Sequence, residues 1–69
     1  MKSIEELEVM YNKLQERKYA IIEKMEAGKL SEEDAQLLYE PVSKKAGALY
    51  IKIEKMKAEQ YNNFINAFM

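Results

Sequence analysis

Glu23 and Glu26 stand three residues apart, the spacing at which bundled helices build di-iron sites. Those sites pair a glutamate with a histidine, and this chain has no His. A second acidic group, Glu32-Glu33-Asp34, carries three carboxylates in a row. Consecutive helical residues point about 100° apart, so the three cannot converge on one cation. The absence of Cys removes thiolate metal ligands and disulfides. The absence of His also removes the usual general base near neutral pH. Ser3, Ser31 and Ser43 fall at or near expected helix starts. The two glycines, Gly28 and Gly47, lie too far apart to form a phosphate-binding loop. No catalytic, cofactor-binding or metal-ligating residue is therefore assigned. The expectation is a protein that is not an enzyme and uses no cofactor.

The remaining candidates bind rather than react. Lys44, Lys45, Lys52, Lys55 and Lys57 gather in the last third of the chain, with Tyr50 and Tyr61 among them. Cations interleaved with aromatic rings supply phosphate contact and base stacking. The same pattern also describes a solvated lysine face beside two tyrosines that border a core, and this half of the chain has no Arg. Helical hairpins of this length include an RNA-binding plasmid regulator, which is a likeness of architecture only. Nucleic acid is accordingly the alternative partner, not the first.

The uncharged carboxy-terminal stretch is the stronger candidate. From Gln60 to Met69 no side chain is charged. Tyr61, Phe64, Ile65, Phe68 and Met69 fall at i, i+3, i+4, i+7 and i+8, one broad apolar face backed by Asn62, Asn63 and Asn66. As core, Phe64 and Ile65 would close over Ile4 and Leu7. As a binding site, the five would dock into a partner groove or against a second subunit. The polar side is amide rather than Lys or Arg, which argues against a membrane surface.

Helix formers dominate the chain, Thr is absent, and no strand is expected. Ile4, Leu7, Tyr11, Leu14, Lys18, Ile21 and Met25 alternate steps of three and four, which stacks them in one stripe along a helix. Lys18 interrupts it, either snorkelling its charge to solvent or setting register at a helix interface. Ser3 is placed to cap this helix, with Glu5 and Glu6 in its first turn. Gly28 is placed for a left-handed carboxy-terminal cap. Leu30-Ser31-Glu32 then opens a second helix, with Ser31 at the cap and three acids behind it.

Leu30-Ser31-Glu32, Tyr39 and Leu49 stand at spacings similar to those in the Hha family of nucleoid-associated modulators. The match is largely a helix start, its flanks differ, and no fold, partner or site is carried over from it.

Pro41 disfavours helical continuation. The stripe Ala35, Leu38, Val42, Ala46, Leu49, Ile53 and Met56 nevertheless keeps phase through it, so either a sharp kink or a break is expected. Pairing the long helices with opposite polarity gives partners whose numbers sum to about 70. Ile4 would meet Ile65, Leu7 Tyr61, Leu14 Met56, Ile21 Leu49 and Lys18 Ile53.

The net charge of −1 masks an asymmetry. Residues 1–40 hold 6 Lys/Arg and 10 Asp/Glu, giving −4, and residues 41–69 hold 5 Lys and 2 Glu, giving +3. The two halves can attract each other when paired. One core in 69 residues rarely supplies more than about 3–5 kcal/mol, so a second copy or a partner is the expected reinforcement. A single hairpin seam would also leave Met10, Ile22, Tyr50 and Phe68 uncovered, and pairing two hairpins would bury them. The acidic start and the lack of an apolar run near the ~20 residues needed to span a bilayer predict a cytoplasmic protein without a membrane partner.

The sequence thus predicts one all-α domain over 1–69, with helices at about 3–27, 31–40 and 41–67. Its form is an antiparallel helical hairpin of two long helices with a short helix or Pro-kinked turn between them, dimerising into a bundle. The expected role is a non-enzymatic protein–protein interaction module: a regulator, adaptor or inhibitor of a partner protein. A structural or assembly factor is a further alternative.

Overall fold

The computed structural model describes residues 2–68, with side chains described to residue 67. The chain is all-helical. Helix α1 spans Ile4–Glu26 and α2 spans Glu32–Phe68, and the two pack against each other. Both helix starts follow from local chemistry. The Glu6 N–H donates to Ser3 Oγ at 3.2 Å, and the Asp34 N–H donates to Ser31 Oγ at 3.1 Å. Each hydroxyl satisfies one of the amides that a helix start leaves unpaired.

The end of α1 is equally local. Gly28 has φ +77°, a left-handed angle that costs an ordinary L-residue roughly 1–2 kcal/mol. That turn lets the Gly28 N–H donate to the Met25 carbonyl at 3.0 Å and the Lys29 N–H to the Lys24 carbonyl at 2.8 Å. These are the two bonds of a Schellman cap. Ser31 then restarts the helix at once, so the link between helices is only residues 27–31.

Pro41 does not divide the second helix. Instead of separate helices at 31–40 and 41–67, α2 runs for 37 residues through the proline. The missing Pro N–H deprives the Leu37 carbonyl of its helical donor. Leu37 is 71% exposed and Pro41 is exposed, so water can reach that carbonyl. The opposite side stays in register across the proline, because Ala35, Tyr39, Val42, Ala46, Leu49, Ile53 and Met56 are all buried or half-buried. Tyr39 replaces the expected Leu38, which is 51% exposed. Both positions satisfy the helical spacing, and the residue opposite decides between them: Lys18 Nζ lies 5.4 Å from the centre of the Tyr39 ring.

The register therefore differs from the expected one. Contact numbers on α2 fall as those on α1 rise. Lys57 meets Glu8, the Tyr50 ring lies 6.0 Å from the Tyr11 ring, and Tyr39 meets Lys18. Lys18 accordingly faces Tyr39, not Ile53. The expected register assumed that residues 31–40 formed a separate connection. Because Gly28 and Ser31 complete the turn within five residues, residues 32–40 themselves pack on the end of α1.

All seven members of the α1 stripe, from Ile4 to Met25, are buried or half-buried. Among the described residues the fully buried core is only Leu7, Ala35, Ala46 and Ile53. The molecule is a rod of 58 × 20 × 16 Å. At 1.5 Å per residue, α2 is about 55 Å long and α1 about 34 Å. Part of the difference appears at one end. Ser3 and Ile4 share a shallow depression with Lys57 and Gln60, so residues 61–68 run past the start of α1.

Candidate functional site

That overhang carries the apolar tail. Tyr61 is 64% exposed, Phe64 is 62% exposed and Ile65 is half-buried. Phe68 is the last helical residue; its side chain, like the whole of Met69, lies outside the described residues. The expectation that Phe64 closes over Ile4 and Leu7 as core does not hold. Phe64 follows Ala46 by eighteen residues, about five full turns, so it shares the side of α2 that meets α1. Its exposure goes with its place one turn beyond Gln60, which lies beside Ser3 and Ile4 at the start of α1. The missed signal was the five-residue link, which fixes where α1 stops along α2.

Four of the five lysines of α2, Lys44, Lys45, Lys52 and Lys55, fall within about 100° of one another round the helix, and Lys57 stands apart. Lys57 Nζ lies 3.8 Å from the Glu8 carboxylate, with both side chains about half exposed. A surface pair of this kind contributes at most about 1 kcal/mol. Lys44 precedes the buried Ala46 by two residues and Lys55 follows the buried Ile53 by two. Both therefore point outward, about 200° from the seam. Lys45 and Lys52 turn to the flank opposite Lys57. Tyr50 stacks obliquely on Tyr11 at an interplanar angle of 45°, away from Lys45 and Lys52. The arc of four lysines therefore carries no tyrosine, and of the five only Lys57 shares the side of α2 that holds Tyr50 and Tyr61.

Lys45 and Lys52 instead meet two cations of α1. Met10 and Leu14 from α1, with Ala48 and Leu49 from α2, floor an open groove of about 520 Å³. Lys13 and Arg17 stand on one rim, Lys45 and Lys52 on the other. No carboxylate lines the groove. Among the described residues none of the four cations is within 4.0 Å of a carboxylate. Lys13 and Arg17 fall outside the expected basic set, which lies wholly on the last helix. The available signal was Met10-Lys13-Leu14-Arg17, an i, i+3, i+4, i+7 pattern that places two cations beside two apolar residues.

On the other flank Tyr11, Lys18, Ser43, Ala46, Gly47 and Tyr50 surround a shallower depression. Ile21, Ile22, Met25, Ala35 and Tyr39 form an apolar recess near the inter-helix link. Among the described residues no group of three His, Cys, Asp or Glu side chains could hold a metal ion. No helix there is long and apolar enough to cross a membrane. No family model, no curated protein and no solved structure matches the chain.

Proposed function

We propose that this chain is a non-enzymatic protein–protein interaction module, an antiparallel helical hairpin that pairs with a second copy into a bundle and acts by binding. The observation that supports this reading is its uncovered surface. The chain exposes 5844 Å², whereas a compact monomer of 8.1 kDa exposes about 4,500 Å². The excess, on the order of 1,300 Å², exceeds the roughly 800 Å² that each partner gives to a standard interface. Val9, Leu37, Tyr50, Ile51, Tyr61 and Phe64 are each more than half exposed and supply apolar area that a partner can cover.

The tail is the part of this surface most suited to docking, because Tyr61 and Phe64 project from the overhang and aromatic anchors often dominate interface energies. Sedimentation equilibrium of the full chain at micromolar concentration should give a dimer. Replacing Tyr61 and Phe64 together with Ala should leave the helical circular dichroism intact and shift the species to monomer. A monomeric wild type with a cooperative melt overturns the dimer. A double variant that remains dimeric moves the interface away from the tail.

A further inference from the structure

The cationic groove is distinct from the tail and calls for a different occupant. We infer that it receives an acidic amphipathic helix of a partner protein, an inference that rests on the interaction-module reading and adds the chemistry of the partner. Two packed helices leave a concave channel along each flank, and a third helix laid there completes a bundle. The floor of Met10, Leu14, Ala48 and Leu49 accepts apolar side chains, and the weak acceptor it holds, the Met10 thioether, already takes a bond from Lys2 Nζ at 3.1 Å. Its rims carry four positive charges without a lining acid. Lys13 and Arg17 are one helical turn apart, about 6 Å, and Lys45 and Lys52 are two turns apart, about 10.5 Å. A helix with an apolar seam and glutamates on both shoulders repeats its charges at those intervals.

Charge also separates this occupant from the alternatives. A second copy docking groove to groove about a two-fold axis would set each set of four cations against the other, a repulsive contact. Single-stranded nucleic acid needs aromatic platforms as well as cations, and no ring lines the groove. Tyr50 is committed to Tyr11 on the other flank.

The test uses a labelled synthetic peptide of about three heptads, with Leu at the seam positions and Glu on both shoulders, and a control peptide with Lys in place of every Glu. Fluorescence anisotropy with the full chain should give micromolar binding of the Glu peptide and at least about tenfold weaker binding of the Lys peptide, with a steep loss in salt. The variant K13E/R17E/K45E/K52E should reverse this preference while keeping its helical circular dichroism. Should the fourfold variant unfold, K13E/R17E and K45E/K52E taken separately should each weaken the Glu peptide. Equal binding of the two peptides, or no loss in the variants, overturns the assignment. So does a single-stranded RNA that binds through these four residues when the Glu peptide does not. Dissociation of the dimer by the fourfold variant would give the groove to a second copy and equally overturn it. If the peptide fails while the wild-type chain still sediments as a dimer, the groove assignment falls and the module reading stands. Peptide binding by a monomeric chain supports the groove and removes the dimer.

Discussion

Leu7 and Leu38 carry the same side chain, and helical spacing offers a seam position to both. Leu7 is 2% exposed and Leu38 is 51% exposed. Removing a buried leucine loses transfer energy and leaves a cavity, at a cost of about 2–5 kcal/mol. A core this small supplies only about 3–5 kcal/mol in total. Leu7→Ala should therefore abolish the cooperative thermal transition, while Leu38→Ala should shift the midpoint by the equivalent of less than about 1 kcal/mol. Circular-dichroism melts of the two variants make the comparison. Similar losses at both sites would mean that Leu38 is covered in solution, which would place an interface over the start of α2. The sequence offered no means of ranking these two leucines, because burial depends on what α1 presents opposite each. Lys18 presents a cation, and the ring of Tyr39 meets it better than the branched alkyl group of Leu38.

At the scale of the element, α2 tolerates two residues that ordinarily weaken helices. Pro41 removes one backbone bond and Gly47 adds backbone freedom to the unfolded chain. A Cβ added at Gly47 would meet nothing within 4 Å. Gly47→Ala should therefore stabilise the protein by about 0.5–1 kcal/mol. Pro41→Ala restores the donor to the Leu37 carbonyl and should stabilise by up to about 3 kcal/mol. Urea denaturation gives both values, and the m-value should not change. A loss of stability in Pro41→Ala would show that the proline sets a curvature which the seam needs. The caps were legible from sequence, since Ser3, Gly28 and Ser31 act within a turn of themselves. The continuity of α2 was not, because the local cost at Pro41 is offset by burial of Tyr39, Val42 and Ala46 against α1.

For the whole molecule, shape and charge distribution decide how it meets a partner. The radius of gyration is 16.7 Å, against about 11 Å for a compact chain of this length. Lys44, Lys45, Lys52 and Lys55 share one arc of α2 that carries neither Tyr50 nor Tyr61, and Lys57 lies beside Glu8. Single-stranded RNA should consequently show no measurable binding at physiological salt in filter-binding or anisotropy assays. A micromolar complex whose affinity falls by roughly 0.7 log units per log unit of salt for each phosphate contacted would promote the nucleic-acid reading. In that case K45E/K52E and K44E/K55E would locate the contact, the first in the groove and the second on the outer side.

The sequence by itself determined the all-helical class, the start and stop of α1, the restart at Ser31 and the seam from Ile4 to Met25. These follow from propensity, capping and periodicity, which act over a few residues. Only the tertiary structure decided the register, and with it the choice of Tyr39 over Leu38 and the overhang that exposes Tyr61 and Phe64. It alone joined Lys13 and Arg17 to Lys45 and Lys52 across a groove. The physical reason is separation along the chain: the cations of α1 and those of α2 are 28 to 39 residues apart, and no local rule reaches that far. Their meeting depends on how tightly residues 27–31 turn and on which side chains then fill the seam.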